Sequence, residues 1–212
     1  MGQKAGTRKN RRPTAYVLAL IGLMTALMCI LGPVTIVTPF SPVPLSLASL
    51  AIYFGVWLLG WKWGTVSCLI YLLLGLTGMP VFSGVTGGPG KLMGPTGGYL
   101  IGYLFLTVIA GGFVQKWKSR GWRLLGLVLG TWVLYLFGTV WLARVADMSL
   151  TGAFAAGVLP FLPLDVSKLL LVFFTAPVVE SRLREAGLVP EEVLVYDKKE
   201  QENQKESQGT SV

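Results

Sequence analysis

Six long apolar stretches limit what this chain can fold into. A helix that crosses the hydrocarbon core of a bilayer needs about 20 mainly apolar residues. Such stretches cover residues 14–37, 45–61, 64–79, 95–115, 122–143 and 155–181. Hydrophobic residues fill 53% of the 212 positions and charged residues only 13%, and a soluble domain of this size cannot bury so much apolar surface. We therefore predict an all-α integral membrane protein, a six-transmembrane-helix bundle.

The distribution of basic residues predicts the orientation of this bundle. Cytoplasmic segments of membrane proteins carry an excess of Lys and Arg. If the N-terminus is cytoplasmic, the cytoplasmic segments hold 15 of the 18 basic residues, and the external segments hold only Lys91 and Arg144. Dropping or adding one span would place the basic cluster at 116–123 outside. We therefore expect six spans with N- and C-termini cytoplasmic, and a tight hairpin at residues 60–64 between the second and third spans.

The two ends of the chain differ in composition from the apolar middle. Residues 1–13 carry five basic residues and no acid, which favours a basic cytoplasmic arm that contacts lipid headgroups rather than nucleic acid. The first apolar stretch is longer than the core of a signal peptide and lacks a small-x-small cleavage site. Residues 14–185 then form the membrane domain. Residues 186–212 are polar, and we expect a disordered cytoplasmic tail.

Several classes of chemistry are excluded by composition. The chain has no histidine, which removes His-dependent acid–base catalysis and most zinc or haem sites. Both cysteines, Cys29 and Cys68, lie inside apolar stretches, so we expect buried, inert thiols and no metal site. An intramembrane enzyme would lack acid–base partners. We therefore expect a protein that is not an enzyme and has no cofactor.

One charge pair, Asp165 and Lys168, lies inside the last apolar stretch. Each such charge costs about 2.5–3.5 kcal/mol near the centre of a membrane helix, so the pair should face the bundle interior or a cavity. The i, i+3 spacing places both side chains on one helix face. Two interpretations remain open: a buried ion pair that only fixes helix packing, or a polar site that binds a ligand carrying both a donor and an acceptor.

Residues 83–98 form a glycine-rich stretch on the predicted outer side. A phosphate-binding P-loop needs the pattern G-x-x-x-x-G-K-[ST], and here Val85 replaces the first glycine and Leu92 follows Lys91. ATP hydrolysis by this chain is therefore not expected. The stretch is either a flexible connector or a loop whose backbone can approach a ligand closely. Tyr99 follows directly and is the best aromatic candidate for stacking on a ligand.

Small residues recur at helical spacing in two further places. Such residues let membrane helices approach closely, and we expect packing rather than chemistry from Gly94, Gly98, Gly102, Gly126 and Gly130. A second set occupies one face of the first span and either packs inside the bundle or presents a smooth surface to another membrane subunit. This α1 stripe consists of Ala15, Ala19, Gly22 and Ala26.

Four segments, at residues 42–47, 71–82, 94–102 and 159–168, together resemble the BioY family. Its members are the biotin-specific substrate-binding (S) components of energy-coupling factor (ECF) transporters. The most specific segments read Gly-Pro-Thr-Gly-Gly-Tyr and Pro-Phe-x-Pro-x-Asp-x-x-Lys. The resemblance runs from about residue 14 to residue 185 in the family's order. One departure is Ala48, which stands where family members usually have Gln.

The resemblance implies a site that captures biotin from outside, closed by the glycine-rich loop. It implies that Asp165 and Lys168 bind the ureido end of biotin. It further implies that Lys91 meets the carboxylate, and that Ser83 and Ser46 are additional substrate-binding positions.

The resemblance also implies partners and a location. Ala15 and Ala19 reproduce the A-x-x-x-A pattern through which S components meet the transmembrane coupling subunit, and two cytoplasmic ATPase subunits would supply energy. The location would be a prokaryotic plasma membrane. Two alternatives stay open: an S component for another vitamin or a biotin precursor, and a structural membrane protein whose charge pair only locks helices together.

Overall fold

The computed structural model describes residues 15–37, 39, 41–117 and 119–187, and this part of the chain is mostly helical. The predicted N-terminal arm and residues 188–212 of the predicted tail lie outside the described residues. The helices are α1 (Ala15–Leu31), α2 (Ala48–Leu76), α3 (Pro89–Met93), α4 (Gly97–Lys116), α5 (Arg120–Val145), α6 (Leu150–Gly157) and α7 (Leu162–Glu185). A small antiparallel pair, β1 (Thr35–Ile36) and β2 (Leu45–Ser46), departs from the all-helical expectation.

Four of the described helices, α2, α4, α5 and α7, are long and apolar enough to cross a membrane, and α1 is a shorter apolar helix. The predicted boundaries of two spans were wrong. The first stretch, 14–37, ends as a helix at Leu31, because Gly32 and Pro33 follow and the chain then turns into β1. The last stretch, 155–181, is divided between α6 and α7 by a turn that contains Pro160.

The predicted hairpin between the second and third apolar stretches is confirmed, and its reversal lies at Gly60 within α2. Gly60 has a φ of +70°, a conformation that glycine adopts without the strain a side chain would add. A Cβ on Gly64 would lie 3.3 Å from the Cα of Val56. Residues eight apart in a straight helix are separated by about 12 Å, so the two halves of α2 fold back against each other.

Helices α4 and α5 pack closely through four of the five glycines that the sequence singled out, which confirms the packing role predicted for Gly98, Gly102, Gly126 and Gly130. Gly94 lies between α3 and α4, and a Cβ there would meet only the Gly90 and Lys91 carbonyls of its own loop. Gly98 lies against the Trp141 side chain, and Gly102 against Leu134. On α5, Gly126 and Gly130 contact α4 in the same way. A larger residue at these positions would force the two helices apart.

The two ends of the bundle differ in charge. One end, here named the basic end, contains the Gly60 turn, the α4–α5 junction and the C-terminus of α7. It carries most of the described Lys and Arg residues: Lys62, Lys116, Arg120, Arg123, Arg182 and Arg184. The opposite end carries β1, β2, α3 and α6, with Lys91 and Arg144.

Candidate functional site

A cavity lies inside the bundle toward the end opposite the basic end. Residues from β2, α2, α4, α5 and α7 and from the glycine-rich loop form its wall. They are Val43, Pro44, Ser46, Ser49, Tyr71, Ser83, Thr96, Tyr99, Leu100, Tyr103, Leu134, Tyr135, Phe161, Asp165 and Lys168. Five of the six substrate-binding residues proposed from the sequence therefore line one cavity, although they come from segments far apart in the chain.

The charge pair forms the polar centre of the cavity. Asp165 and Lys168 lie on the first two turns of α7, and their side chains face inward because the i, i+3 spacing puts them on one face. Both are buried, with 5% and 4% of their surface exposed. The ammonium Nζ lies 2.8 Å from Asp165 Oδ1, so each charge has its partner.

Every N–H of the Lys168 ammonium is used within the protein. The ammonium has three donors. Besides Asp165, it donates to the backbone carbonyl of Ser46 at 2.7 Å and to Ser49 Oγ at 2.8 Å. Ser46 thus contributes its carbonyl oxygen, while its hydroxyl donates to the Gly32 carbonyl. Strand β2 and the start of α2 are thereby attached to α7.

Two residues that the sequence analysis did not single out complete the arrangement around Asp165. The Tyr135 hydroxyl donates to Asp165 Oδ2 at 2.6 Å, and the Ser49 hydroxyl lies 3.4 Å from Oδ1. Hydrogen bonds to an ionised carboxylate are shorter and stronger than neutral ones. The sequence feature that could have identified Tyr135 as a site residue is its hydroxyl in the middle of an apolar span. Ser49 directly follows Ala48, the position at which the sequence departs from the usual family pattern. The Ala48 side chain is buried and does not line the cavity.

Two hydroxyl groups on the cavity wall have no hydrogen-bond partner among the described residues. They belong to Ser83, in the glycine-rich loop, and to Tyr103, on α4. Both residues are more than nine-tenths buried. A hydroxyl can both donate and accept, so these two groups on the cavity wall are available to a polar ligand.

Tyr99 contributes an aromatic surface to the cavity. Its hydroxyl donates to the Gly157 carbonyl at 3.0 Å. Its ring stacks in parallel on Phe161, with centroids 6.1 Å apart. The side chain is thus fixed at both ends, and its ring can form a wall for an apolar ligand.

The glycine-rich stretch is a folded loop that closes part of the cavity. Phe82 and Thr86 form an isolated β-bridge, and α3 follows. A Cβ on Gly87 would meet the Met79 carbonyl, and one on Gly97 would meet the Leu92 carbonyl. This close packing of backbone on backbone does not fit the interpretation of the stretch as a flexible connector.

Lys91 is the one predicted substrate-binding residue that does not line the cavity. It lies half-buried on α3, in the loop that closes the site. Its ammonium has no hydrogen bond or ion pair within the described ranges. Partial burial lowers the pKa of Lys91 because it disfavours the charged form. Its predicted contact with a carboxylate stays a prediction.

The α1 stripe faces outward. Ala15, Ala19 and Ala26 are exposed, and a Cβ on Gly22 would meet nothing within 4 Å. Of the two interpretations left open by the sequence, packing inside the bundle is therefore wrong. The stripe is a smooth external surface.

In the described part of the chain, no group of three or more His, Cys, Asp or Glu residues could hold a metal ion. Cys29 and Cys68 are free thiols. Cys68 is buried as expected, whereas Cys29 is only half-buried.

Comparisons with known proteins agree with this geometry. Residues 4–185 match the profile of the BioY family. A probable biotin transporter BioY of Pyrococcus horikoshii is 38% identical over 171 residues, which cover 80% of this chain and 97% of the relative. The biotin transporter BioY of Thermotoga maritima is 34% identical over 155 residues, covering 73% of this chain and 90% of the relative.

A solved structure also has the same fold. It is the crystal structure of the S-component for biotin from an ECF-type ABC transporter, with a TM-score of 0.72 and 33% sequence identity. The match covers 80% of this chain and 90% of the solved chain. Because the family profile spans most of the sequence and relatives above 30% identity are matched over nearly their whole length, this chain belongs to the BioY family.

Proposed function

We propose that this chain is the biotin-binding S component of an ECF-type importer, and that it captures biotin in the cavity described above. The observation that carries the proposal is the buried Asp165–Lys168 pair at the polar centre of that cavity, in a chain whose relatives are biotin transporters. Capture needs no bond to be made or broken. The protein is then a binding subunit rather than an enzyme.

The chemistry of biotin matches the two halves of the cavity. Its ureido ring carries two N–H donors and one carbonyl acceptor. Asp165 is an acceptor and Lys168 a donor, so together they address both functions of that ring. The rest of the wall is aromatic and aliphatic, including Tyr99 and Leu134, which suits the thioether ring and the aliphatic side chain. A few fixed polar groups in a mostly apolar cavity are typical of small-molecule sites.

The carboxylate of biotin requires a cation at the other end of the ligand. Lys91 meets this need because it is the basic residue of the loop that closes the cavity. Its side chain reaches the site only if the loop or the side chain moves when biotin binds. We propose that this contact forms in the complex.

We propose a membrane topology of six spans with both termini cytoplasmic. The reversal at Gly60 supports counting the two halves of α2 as separate spans. The concentration of basic residues at the end that holds the Gly60 turn and the C-terminus of α7 supports a cytoplasmic position for that end. The cavity would then open toward the outside of the plasma membrane, where the vitamin is captured.

The exposed α1 stripe supports an interface with the transmembrane coupling subunit. Close approach of two membrane helices requires small residues facing outward, and Ala15 and Ala19 provide them. Two ATPase subunits would supply energy, since no P-loop occurs in this sequence. An Ala19→Trp variant should bind biotin normally and fail to co-purify with the coupling subunit. Leu136→Trp, at an exposed position on α5, is the matched control.

Calorimetric titration of the purified protein with biotin tests the proposed ligand. Saturable binding at nanomolar Kd would support it. Dethiobiotin keeps the ureido ring, which is the part addressed by Asp165 and Lys168, so it should compete, and vitamins without that ring should not. If only a different vitamin gives heat of binding, biotin is not the ligand, although the assigned fold still stands. If no vitamin gives heat of binding, a structural role for the ion pair is favoured.

A further inference from the structure

Trp141, on α5, attaches the glycine-rich loop to the bundle at the C-terminal end of that loop. Its Nε1 donates to the Gly94 carbonyl at 3.0 Å. Gly94 is the residue that follows α3, and the same carbonyl accepts a second hydrogen bond from the backbone N–H of Gly97, also at 3.0 Å. The point at which α3 ends is therefore held both by its own chain and by a side chain from another helix.

The packing of α4 on α5 aims the indole of Trp141 at the loop. Gly98 lies against the Cβ and ring of Trp141, and a Cβ on Gly97 would lie 3.2 Å from Nε1. On its other side, the indole ring stacks on Phe137, with centroids 6.4 Å apart. The two glycines that begin α4 thus leave room for the indole, and the position of its N–H donor is set by rigid helices.

The segment that Trp141 holds is lightly packed. None of the five residues of α3 is buried. At the start of α3, Gly88 has a φ of +91°, a conformation that favours glycine, and its backbone N–H donates to the Gly75 carbonyl at 2.7 Å. Helix α3 is therefore a short, half-exposed element that is attached at both of its ends.

Lys91 lies between these two attachments. It is three residues before Gly94, less than one helical turn, so a displacement of Gly94 also displaces the backbone of Lys91. The Thr96 hydroxyl donates to the Lys91 carbonyl at 3.4 Å, and Thr96 lines the cavity. A lysine has a flexible four-carbon stem, so its ammonium can move while its backbone stays in place.

We propose that Trp141 is a positioning residue for Lys91. By holding the Gly94 carbonyl it fixes α3, and the Lys91 ammonium then meets the ligand carboxylate by rotation of its side chain alone. Trp141 does not line the cavity, so it acts on the ligand only through the loop. A loop that is already ordered costs less free energy on binding. The proposal rests on the function proposed above and adds to it a residue outside the cavity.

The test compares two ligands that differ only at the end addressed by Lys91. The full chain purified in detergent is titrated by calorimetry with biotin and with biotinamide, in which a neutral amide replaces the carboxylate. The unchanged protein should prefer biotin. Trp141→Phe keeps an aromatic ring beside Gly98 and removes the N–H donor, so it should raise the Kd of biotin about threefold to tenfold and leave that of biotinamide unchanged.

Two further variants make the comparison specific. Trp122→Phe is the matched control, because Trp122 is also on α5 but lies half-exposed at the basic end; it should change neither Kd. Lys91→Met should abolish the preference for biotin. Adding Trp141→Phe to Lys91→Met should then have no further effect, since residues that act as a unit are not additive.

A loss of affinity that is confined to biotin and disappears in the Lys91→Met background supports the proposal. Equal weakening of both ligands by Trp141→Phe would show a purely structural role and overturn it. The proposal is also overturned if Trp141→Phe weakens neither ligand, or if Lys91→Met keeps the preference for biotin. Absence of biotin binding by the unchanged protein would instead refute the proposed function, and this inference with it.

Discussion

The substitution Asp165→Asn removes one negative charge from the proposed biotin cavity and keeps the shape of the side chain. The carboxylate accepts hydrogen bonds from Lys168, from Tyr135 and, at longer distance, from Ser49. An amide at this position offers one oxygen acceptor and turns the other acceptor into a donor. The ligand and Tyr135 then lose a charged acceptor.

The expected loss of affinity follows from the worth of a charge-assisted hydrogen bond. Such bonds contribute about 1.5–3 kcal/mol. Since each 1.4 kcal/mol corresponds to a factor of ten, biotin Kd should rise about 10- to 150-fold. Calorimetry on the purified variant measures this directly, with Asp147→Asn as control, because Asp147 is exposed and lies outside the cavity.

The same substitution also affects stability, and this effect must be separated from binding. It leaves the Lys168 ammonium, 4% exposed, with neutral acceptors only and no counter-charge. Breaking a buried pair by removing one partner costs about 3–5 kcal/mol. The double variant Asp165→Asn/Lys168→Met removes both charges and should recover much of the lost thermal stability. It should not recover biotin binding, because neither polar function of the site is restored.

Two results would refute this reasoning. The first is an Asp165→Asn variant that keeps its melting temperature and binds biotin within a factor of two of the original protein. The second is a double variant that recovers binding together with stability. In either case the ion pair would be a packing element, and the ligand contacts would have to come from other residues of the cavity.

Three further outcomes follow from single contacts. Tyr135→Phe removes the donor to the cavity carboxylate and should raise biotin Kd about threefold to tenfold in calorimetry; Tyr53→Phe, a buried tyrosine outside the cavity, should leave it unchanged. Gly111→Ala should lower the unfolding free energy by about 1–3 kcal/mol because its Cβ would meet the backbone of α2, whereas Gly112→Ala, with open space around it, should raise it by about 0.5–1 kcal/mol; thermal unfolding ranks the two. Glu180→Gln leaves a buried arginine without its counter-charge and should cost about 3–5 kcal/mol of stability with biotin affinity unchanged.

The sequence predicted those features that depend on short-range spacing. The i, i+3 spacing placed Asp165 and Lys168 on one face of α7, and the four-residue spacing of glycines indicated close packing between helices. Gly60 indicated the hairpin within α2. In each case the physical cause acts within one or two helical turns, so it can be found without knowing the tertiary structure.

Other features depend on contacts between distant segments, and local spacing carries no information about them. Tyr135 meets Asp165 across 30 residues, and Ser49 meets Lys168 across 119. The end of α1 and the short β1–β2 pair were missed for a related reason. Residues 32–37 are apolar enough to belong to a span, and hydropathy alone does not show where Pro33 ends the helix.

The geometry around Lys168 bears on which ligands the proposed site favours. All three N–H groups of the ammonium are used within the protein, so a ligand carbonyl binds to it only by displacing one acceptor. Ser49 Oγ is the acceptor that exchanges most easily, because a hydroxyl rotates, whereas the Ser46 carbonyl is fixed in β2 and Asp165 carries the counter-charge. A ligand that offers only an acceptor therefore replaces one hydrogen bond to Lys168 by another and gains little binding free energy. A ligand that also donates to Asp165 adds bonds that the protein does not make by itself, and a cyclic urea offers both functions on one rigid ring.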